Sequence, residues 1–170
     1  MENEIKLYEK GLEEYPKSGI ILGNIVMIFW IALGTTACSY LYPPIAWLYL
    51  AFAIAMVFIV LRKLVCTNCY YFDKWCCMGW GKISCLFFDE GNLGDFHKSI
   101  GMKLAPVTYG LLTIIPVVMI IISLILEFTM LKLAVLVLLL SVSVYSGAIS
   151  RKKTCSKCKM KLVCPGSAAK

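Results

Sequence analysis

The sequence holds a single histidine, His97, and only 16% charged residues. One imidazole excludes His-rich metal motifs, and no Ser-His-Asp arrangement can be traced. His97 sits among polar residues with no second histidine four positions away, so it reads as a solvated loop residue. Four long apolar windows, residues 19–40, 44–61, 104–126 and 130–150, contain no acid, no arginine and no histidine. Their only charge is Lys132, at the edge of the last window. Ionisable groups inside spans mark ion pathways and proton relays, so their scarcity argues against a pump or a proton-coupled transporter. Glu127 and Lys132 flank the turn between the third and fourth windows and read as interface residues.

Nucleotide and calcium signatures are missing as well. The stretch GWGK, residues 79–82, lacks the G-x-x-x-x-G-K-[ST] spacing of a phosphate loop and is assigned to a turn. DEGNLGD, residues 89–95, does not match the ligand spacing of a calcium loop and reads as a solvated turn.

What the chain does have is apolar content. At 60% hydrophobic residues and a mean hydropathy of +0.80 it exceeds the roughly 45–50% of ordinary soluble domains. A bilayer core takes about 20 apolar residues per helix, so the four windows predict an all-α integral membrane protein with four transmembrane helices. The connections at residues 41–43 and 127–129 are short, which predicts two helical hairpins. Sixteen of the seventeen Lys and Arg residues fall before the first window, between the second and third, or after the fourth. Basic residues are retained on the cytoplasmic side during insertion, so both termini and the central loop are expected in the cytoplasm. The +7 net charge then reports orientation and contact with the lipid bilayer, and no nucleic-acid partner is needed to explain it.

The expected organisation is an amphipathic juxtamembrane segment (1–18), a first transmembrane hairpin (19–61), a Cys- and aromatic-rich cytoplasmic loop (62–103), a second hairpin (104–150) and a Cys-rich cytoplasmic tail (151–170). Ile5, Tyr8, Leu12 and Tyr15 recur at helical spacing and predict a short helix lying on the membrane surface. Gly19 with Gly23, and Ser143 with Gly147, suit close helix packing, and Pro116 is expected to kink its helix. Seven aromatic residues crowd residues 70–88. Tyr70, Tyr71, Trp75 and Trp80 suit the bilayer interface, or equally a small folded subdomain.

The sharpest signal is a repeat: RKLVCTNC at residues 62–69 returns as RKKTCSKC at residues 151–158, each after an apolar window. Of nine cysteines, Cys38 falls at the far end of the first window and suits packing; the other eight face the reducing cytoplasm. Clustered thiols there point to metal or redox chemistry. Two Cys-x-x-Cys knuckles supply the four thiolates of a tetrahedral Zn²⁺ site, so Cys66, Cys69, Cys155 and Cys158 form the first candidate set. The 85 residues between the knuckles exceed zinc-ribbon spacing, so this pairing rests on topology. Lys63, Lys152 and Lys153 lie close enough in sequence to favour thiolates. Cys76, Cys77, Cys85 and Cys164 make a second candidate set.

Two functions follow. One is a membrane scaffold, sensor or assembly protein, clamped by zinc across its hairpins and binding a cytoplasmic or membrane protein partner. The other is a membrane redox protein using an iron–sulfur cluster or vicinal thiols. The spacings C-x₂-C-x₆-C and C-x₂-C-x₅-C-P miss the common ferredoxin patterns, and no catalytic constellation marks an enzyme.

Overall fold

The computed structural model describes residues 7–169, apart from the side chains of His97 and Lys98. The regular elements among them are helical: α1 (Lys17–Ser39), α2 (Pro43–Cys66), the short α3 (Trp80–Ser84), α4 (Ile100–Leu126) and α5 (Met130–Ser156). All but α3 belong to segments long and apolar enough to cross a membrane. Pro43 and Pro44 open α2, where a missing N–H costs nothing because the first turn has no acceptor for it. Ser99 caps α4, its Oγ accepting from the Gly101 N–H at 3.2 Å and donating to the Leu64 carbonyl at 2.6 Å. That hydroxyl ties the start of α4 to the end of α2.

Two helices run past their apolar windows. α2 continues from residue 61 to Cys66 and α5 from residue 150 to Ser156, so Cys66 and Cys155 both lie on helices. Each helix widens to π geometry shortly before or at its cysteine, at Ala55–Val60 and Arg62–Cys66 in α2 and at Tyr145–Ser150 in α5. Such wide turns recur near functional sites.

α1 packs against α2, α4 and α5, while α4 packs in turn on α5 and on the second half of α2. The core joins Trp30, Ile31 and Ala37 of α1 to Ala53 and Val57 of α2, Leu112 and Ile120 of α4, and Leu139 of α5. Trp30 and Ser143 are matched within it. The Trp30 indole N–H donates to Ser143 Oγ at 2.8 Å, and Ser143 donates in turn to the Leu139 carbonyl.

α4 stays helical through Pro106 and Pro116. Pro116 has no N–H for the carbonyl four residues earlier, which belongs to Leu112. The buried Tyr49 hydroxyl donates to that carbonyl at 2.9 Å. Room for Tyr49 comes from Gly34, where a Cβ would collide with the Tyr49 oxygen. The close helix contact is therefore at Gly34, and the expectation for Gly19 and Gly147 is corrected: a Cβ at Gly147 meets nothing within 4 Å, and at Gly19 only Pro16 at 3.9 Å. Both glycines are exposed.

Lys132, at the turn between α4 and α5, is only 7% exposed. Its ammonium donates to the carbonyls of Ser123 (3.3 Å) and Glu127 (3.0 Å) and pairs with the Glu127 carboxylate at 3.3 Å. It neutralises the negative end of α4 and closes the turn into α5.

Tyr49→Phe, which strands the Leu112 carbonyl in an apolar core, should destabilise the bundle by about 1–3 kcal/mol. Gly34→Ala, which drives a methyl into Tyr49, should cost a similar amount, about 1–3 kcal/mol. Thermal unfolding in detergent checks both, and wild-type stability for Tyr49→Phe would refute this account of Pro116.

Candidate metal and thiol site

Both Cys-x-x-Cys motifs fold into the same turn at the end of a long helix. The Cys69 N–H donates to the Cys66 carbonyl at 3.3 Å, and the Cys158 N–H donates to the Cys155 carbonyl at 3.2 Å. The repeat in sequence is thus a repeat in backbone.

Three separated stretches meet around these turns. Residues 8–15 form an irregular strap, turning at Glu9 and Lys10 where the Gly11 N–H donates to the Tyr8 carbonyl at 2.9 Å, rather than the expected surface helix; Ile5 lies outside the described residues. The strap runs beside the tail through a parallel bridge between Leu12 and Cys158. Tyr8 N–H donates to the Lys159 carbonyl and Leu12 N–H to the Lys157 carbonyl, both at 2.9 Å. Gly11 permits the approach, because a Cβ there would lie 2.7 Å from the Lys159 backbone. Helical spacing in the strap is overridden by this pairing, with Gly11 and Pro16 poor helix formers at its middle and end.

The central loop locks the pair. Buried Tyr71 accepts the Lys159 N–H at 3.1 Å and donates to the Leu12 carbonyl at 2.6 Å. Tyr15 of the strap donates to the Thr154 carbonyl at 3.0 Å, and its N–H reaches the Trp75 carbonyl at 2.9 Å. Tyr15 and Tyr70 each pack against the Tyr71 ring, with centroids 5.7 and 5.3 Å away. Glu13 bonds both the Lys159 ammonium and the Tyr70 hydroxyl. Tyr71 and Trp80 therefore serve the subdomain; Trp80 packs on Phe58, with ring centroids 5.1 Å apart.

The thiols gather beneath this clasp. Cys69 is close enough to Cys66, Cys76 and Cys158 to feel each of them, and Cys77 feels Cys76, Cys158 and Cys69. Burial pushes the Cys69 and Cys158 thiols up, with neighbouring cysteines adding to the shift. Cys76 is opposite in sign: the hydrogen bond from Cys77 and the backbone N–H groups of Gly81, Met78 and Trp80 hold it down. The Gly81 N–H stands 3.4 Å from its sulfur. That nest forms because Gly79 takes a left-handed conformation, φ +74°, and turns the chain back over Cys76.

The structure thus brings Cys76 and Cys77 beside the first candidate set and divides the second. Cys85 is drawn away to Asp73, to which its thiol donates and which is itself paired with Lys82 at 2.8 Å. Cys164 stands at the margin, in the last turn, its N–H bonded to the Met160 carbonyl at 2.7 Å and its thiol within electrostatic reach of Cys158. Cys38 is fully buried in the helical core. Lys63, Lys152 and Lys153 are exposed, and the basic group facing Cys66 is Arg62. The His97 side chain lies outside the described residues. Among the described residues, no group of three or more His, Cys, Asp or Glu side chains is placed to hold a metal ion. Of the two places that the sequence allows Tyr71, the structure uses it in the folded subdomain, while the contact of Arg62 with Cys66 has no signal in the sequence.

No protein-family model matches the chain, and neither a curated protein nor a solved structure matches it.

Tyr71→Phe removes both hydroxyl bonds, so the Lys159 and Leu12 amides should exchange hydrogen about tenfold faster or more, given about 1–3 kcal/mol for the lost bonds. Unchanged exchange would show that the clasp rests elsewhere. Lys159 and then Tyr70 hold the Glu13 carboxyl below its usual range. A depressed folded-state pKa stabilises above the unfolded value and is lost as pH falls through the folded one. Strap protection should therefore drop on acidification below the ordinary carboxylate range, and Glu13→Gln should show the reduced protection already at neutral pH.

Proposed function

We propose that the chain is an integral membrane protein of two helical hairpins with its termini in the cytoplasm, and that its cysteine-rich end is a four-thiolate metal clamp serving a scaffold, sensor or assembly role. The membrane part is supported by apolar side chains left exposed on all four long helices, among them Ile21, Trp47, Ile125 and Leu138. A lipid solvent covers such a surface, whereas water does not. The orientation is supported by the sixteen-to-one distribution of basic residues.

One observation supports the clamp: the two Cys-x-x-Cys motifs fold into the same turn at the ends of α2 and α5, and the Cys69 and Cys158 thiols lie within electrostatic reach of each other. An all-sulfur donor set suits Zn²⁺, and it also suits an iron–sulfur cluster. Cys66, Cys69, Cys155 and Cys158 are the proposed ligands, with Cys76 the competitor for the position of Cys155. Binding turns these side chains to a common centre and releases their protons. The metal then fastens the end of α2 to the end of α5, as the tyrosine clasp already does from outside.

A second reading, thiol redox chemistry, draws on the nest that favours a Cys76 thiolate beside Cys77.

Metal and acid-labile sulfide analysis of the anaerobically purified full chain separates these readings. The clamp predicts about one zinc per chain without sulfide. Cys66→Ser and Cys158→Ser should lose the metal and lower thermal stability, while Cys85→Ser should retain both. Comparing Cys155→Ser with Cys76→Ser identifies the fourth ligand. Because Cys69 and Cys158 bind protons more tightly than free thiols, apparent zinc affinity should weaken as pH falls. A metal-free wild-type chain, with Cys66→Ser equally stable, would sink the clamp; iron with sulfide would move the assignment to electron transfer.

A further inference from the structure

Four of the five buried side-chain polar atoms that make no hydrogen bond among the described residues lie in one place: Arg62 Nε and Nη2, Trp80 Nε1 and Ser84 Oγ. Unsatisfied buried donors are costly, and several sharing one site point to a missing partner. All three residues line a single cavity of about 400 Å³, walled by Phe58, Ile83 and Phe87. Arg62 stacks on the Trp80 ring, its guanidinium carbon 4.5 Å from the ring centroid. It also faces Cys66, as Ser84 does. No carboxylate pairs with Arg62 among the described residues. A guanidinium held at an apolar pocket with a cysteine sulfur beside it and no carboxylate suits an anion, and its planar fork matches phosphate.

The position of the cavity identifies the source of that anion. Arg62 lies at the end of the apolar part of α2, where a charged side chain meets the headgroup layer. Ile59 and Phe87, both lining the cavity, are 56% and 73% exposed, and Leu86 beside them is 76% exposed. These side chains leave the opening apolar, which suits an acyl chain and not a free, fully hydrated phosphate.

We propose that this cavity binds one anionic phospholipid from the bilayer leaflet on the cysteine-rich side. Its phosphate takes the Arg62 fork, the Trp80 indole N–H and the Ser84 hydroxyl. Its acyl chain lies along Ile59, Ile83 and Phe87. Because Arg62 and Ser84 also contact Cys66, the bound headgroup orders the first Cys-x-x-Cys turn. The assignment rests on the membrane reading above.

The test uses the purified full chain in nanodiscs of equal parts phosphatidylglycerol and phosphatidylcholine, with native mass spectrometry counting the lipid retained after release. The wild type should retain phosphatidylglycerol about tenfold over phosphatidylcholine, whose choline ammonium offsets the phosphate charge, and Arg62→Gln should bring the two near parity by removing the cation that tells net charge apart. Phe87→Ala, at an exposed position, should weaken retention of both lipids without removing the charge, and it keeps the test open if Arg62→Gln folds poorly. Lys63→Gln should change nothing, because exposed Lys63 does not line the cavity. Equal retention of both lipids by the wild type, an equal loss in Lys63→Gln, or a co-purified neutral quinone in the cavity would each overturn the proposal. A chain that never enters the nanodisc would overturn the membrane reading itself, which separates the two failures.

Discussion

The Tyr71 hydroxyl accepts the Lys159 N–H and donates to the Leu12 carbonyl, and the arrangement of the whole cysteine-rich end depends on that pair of hydrogen bonds. Leu12 and Lys159 belong to opposite ends of the chain, and Tyr71 comes from between the second and third long helices. A parallel pair with a single bridge has few hydrogen bonds of its own. A buried hydroxyl used in both directions supplies what the pair lacks, in a setting where water competes little. Tyr15 and Tyr70 pack on the same ring, so apolar burial and hydrogen bonding reinforce each other there.

The helical part follows the same rule of satisfying backbone groups from within. Pro116 frees a carbonyl, Tyr49 supplies the proton, and Gly34 gives Tyr49 the space. Lys132 does the equivalent at the end of α4, where carbonyls have no successors in the helix. Buried as they are, each of these groups has little water to turn to. Arg62 Nε and Nη2 make no hydrogen bond among the described residues, and on that exception the lipid proposal for the neighbouring cavity rests.

Much of the architecture was legible along the chain. Four apolar windows of spanning length became four long helices, whereas GWGK, read as a turn, opens the short helix α3, with only Gly79 outside it. The strap was misread because a spacing of three and four is compatible with a helix, yet pairing with the tail outweighs a short segment's weak helical preference. The glycine contacts were misread for a related reason. Which face of a helix meets a neighbour depends on how the bundle closes, and that selected Gly34 over Gly19 and Gly147.

By itself the sequence determined the helical class, the four long apolar segments, the one-sided distribution of positive charge and the doubled Cys-x-x-Cys device. Each is written in local composition and period, which survive without knowledge of distant contacts. Tertiary structure alone decided that Cys76 and Cys77 stand with the two knuckles, that Cys85 turns away to Asp73, and that Arg62, Trp80 and Ser84 share a cavity. Those groupings join residues up to about ninety positions apart or turn on a single left-handed glycine, and spacing along a chain carries no record of which distant surfaces will meet.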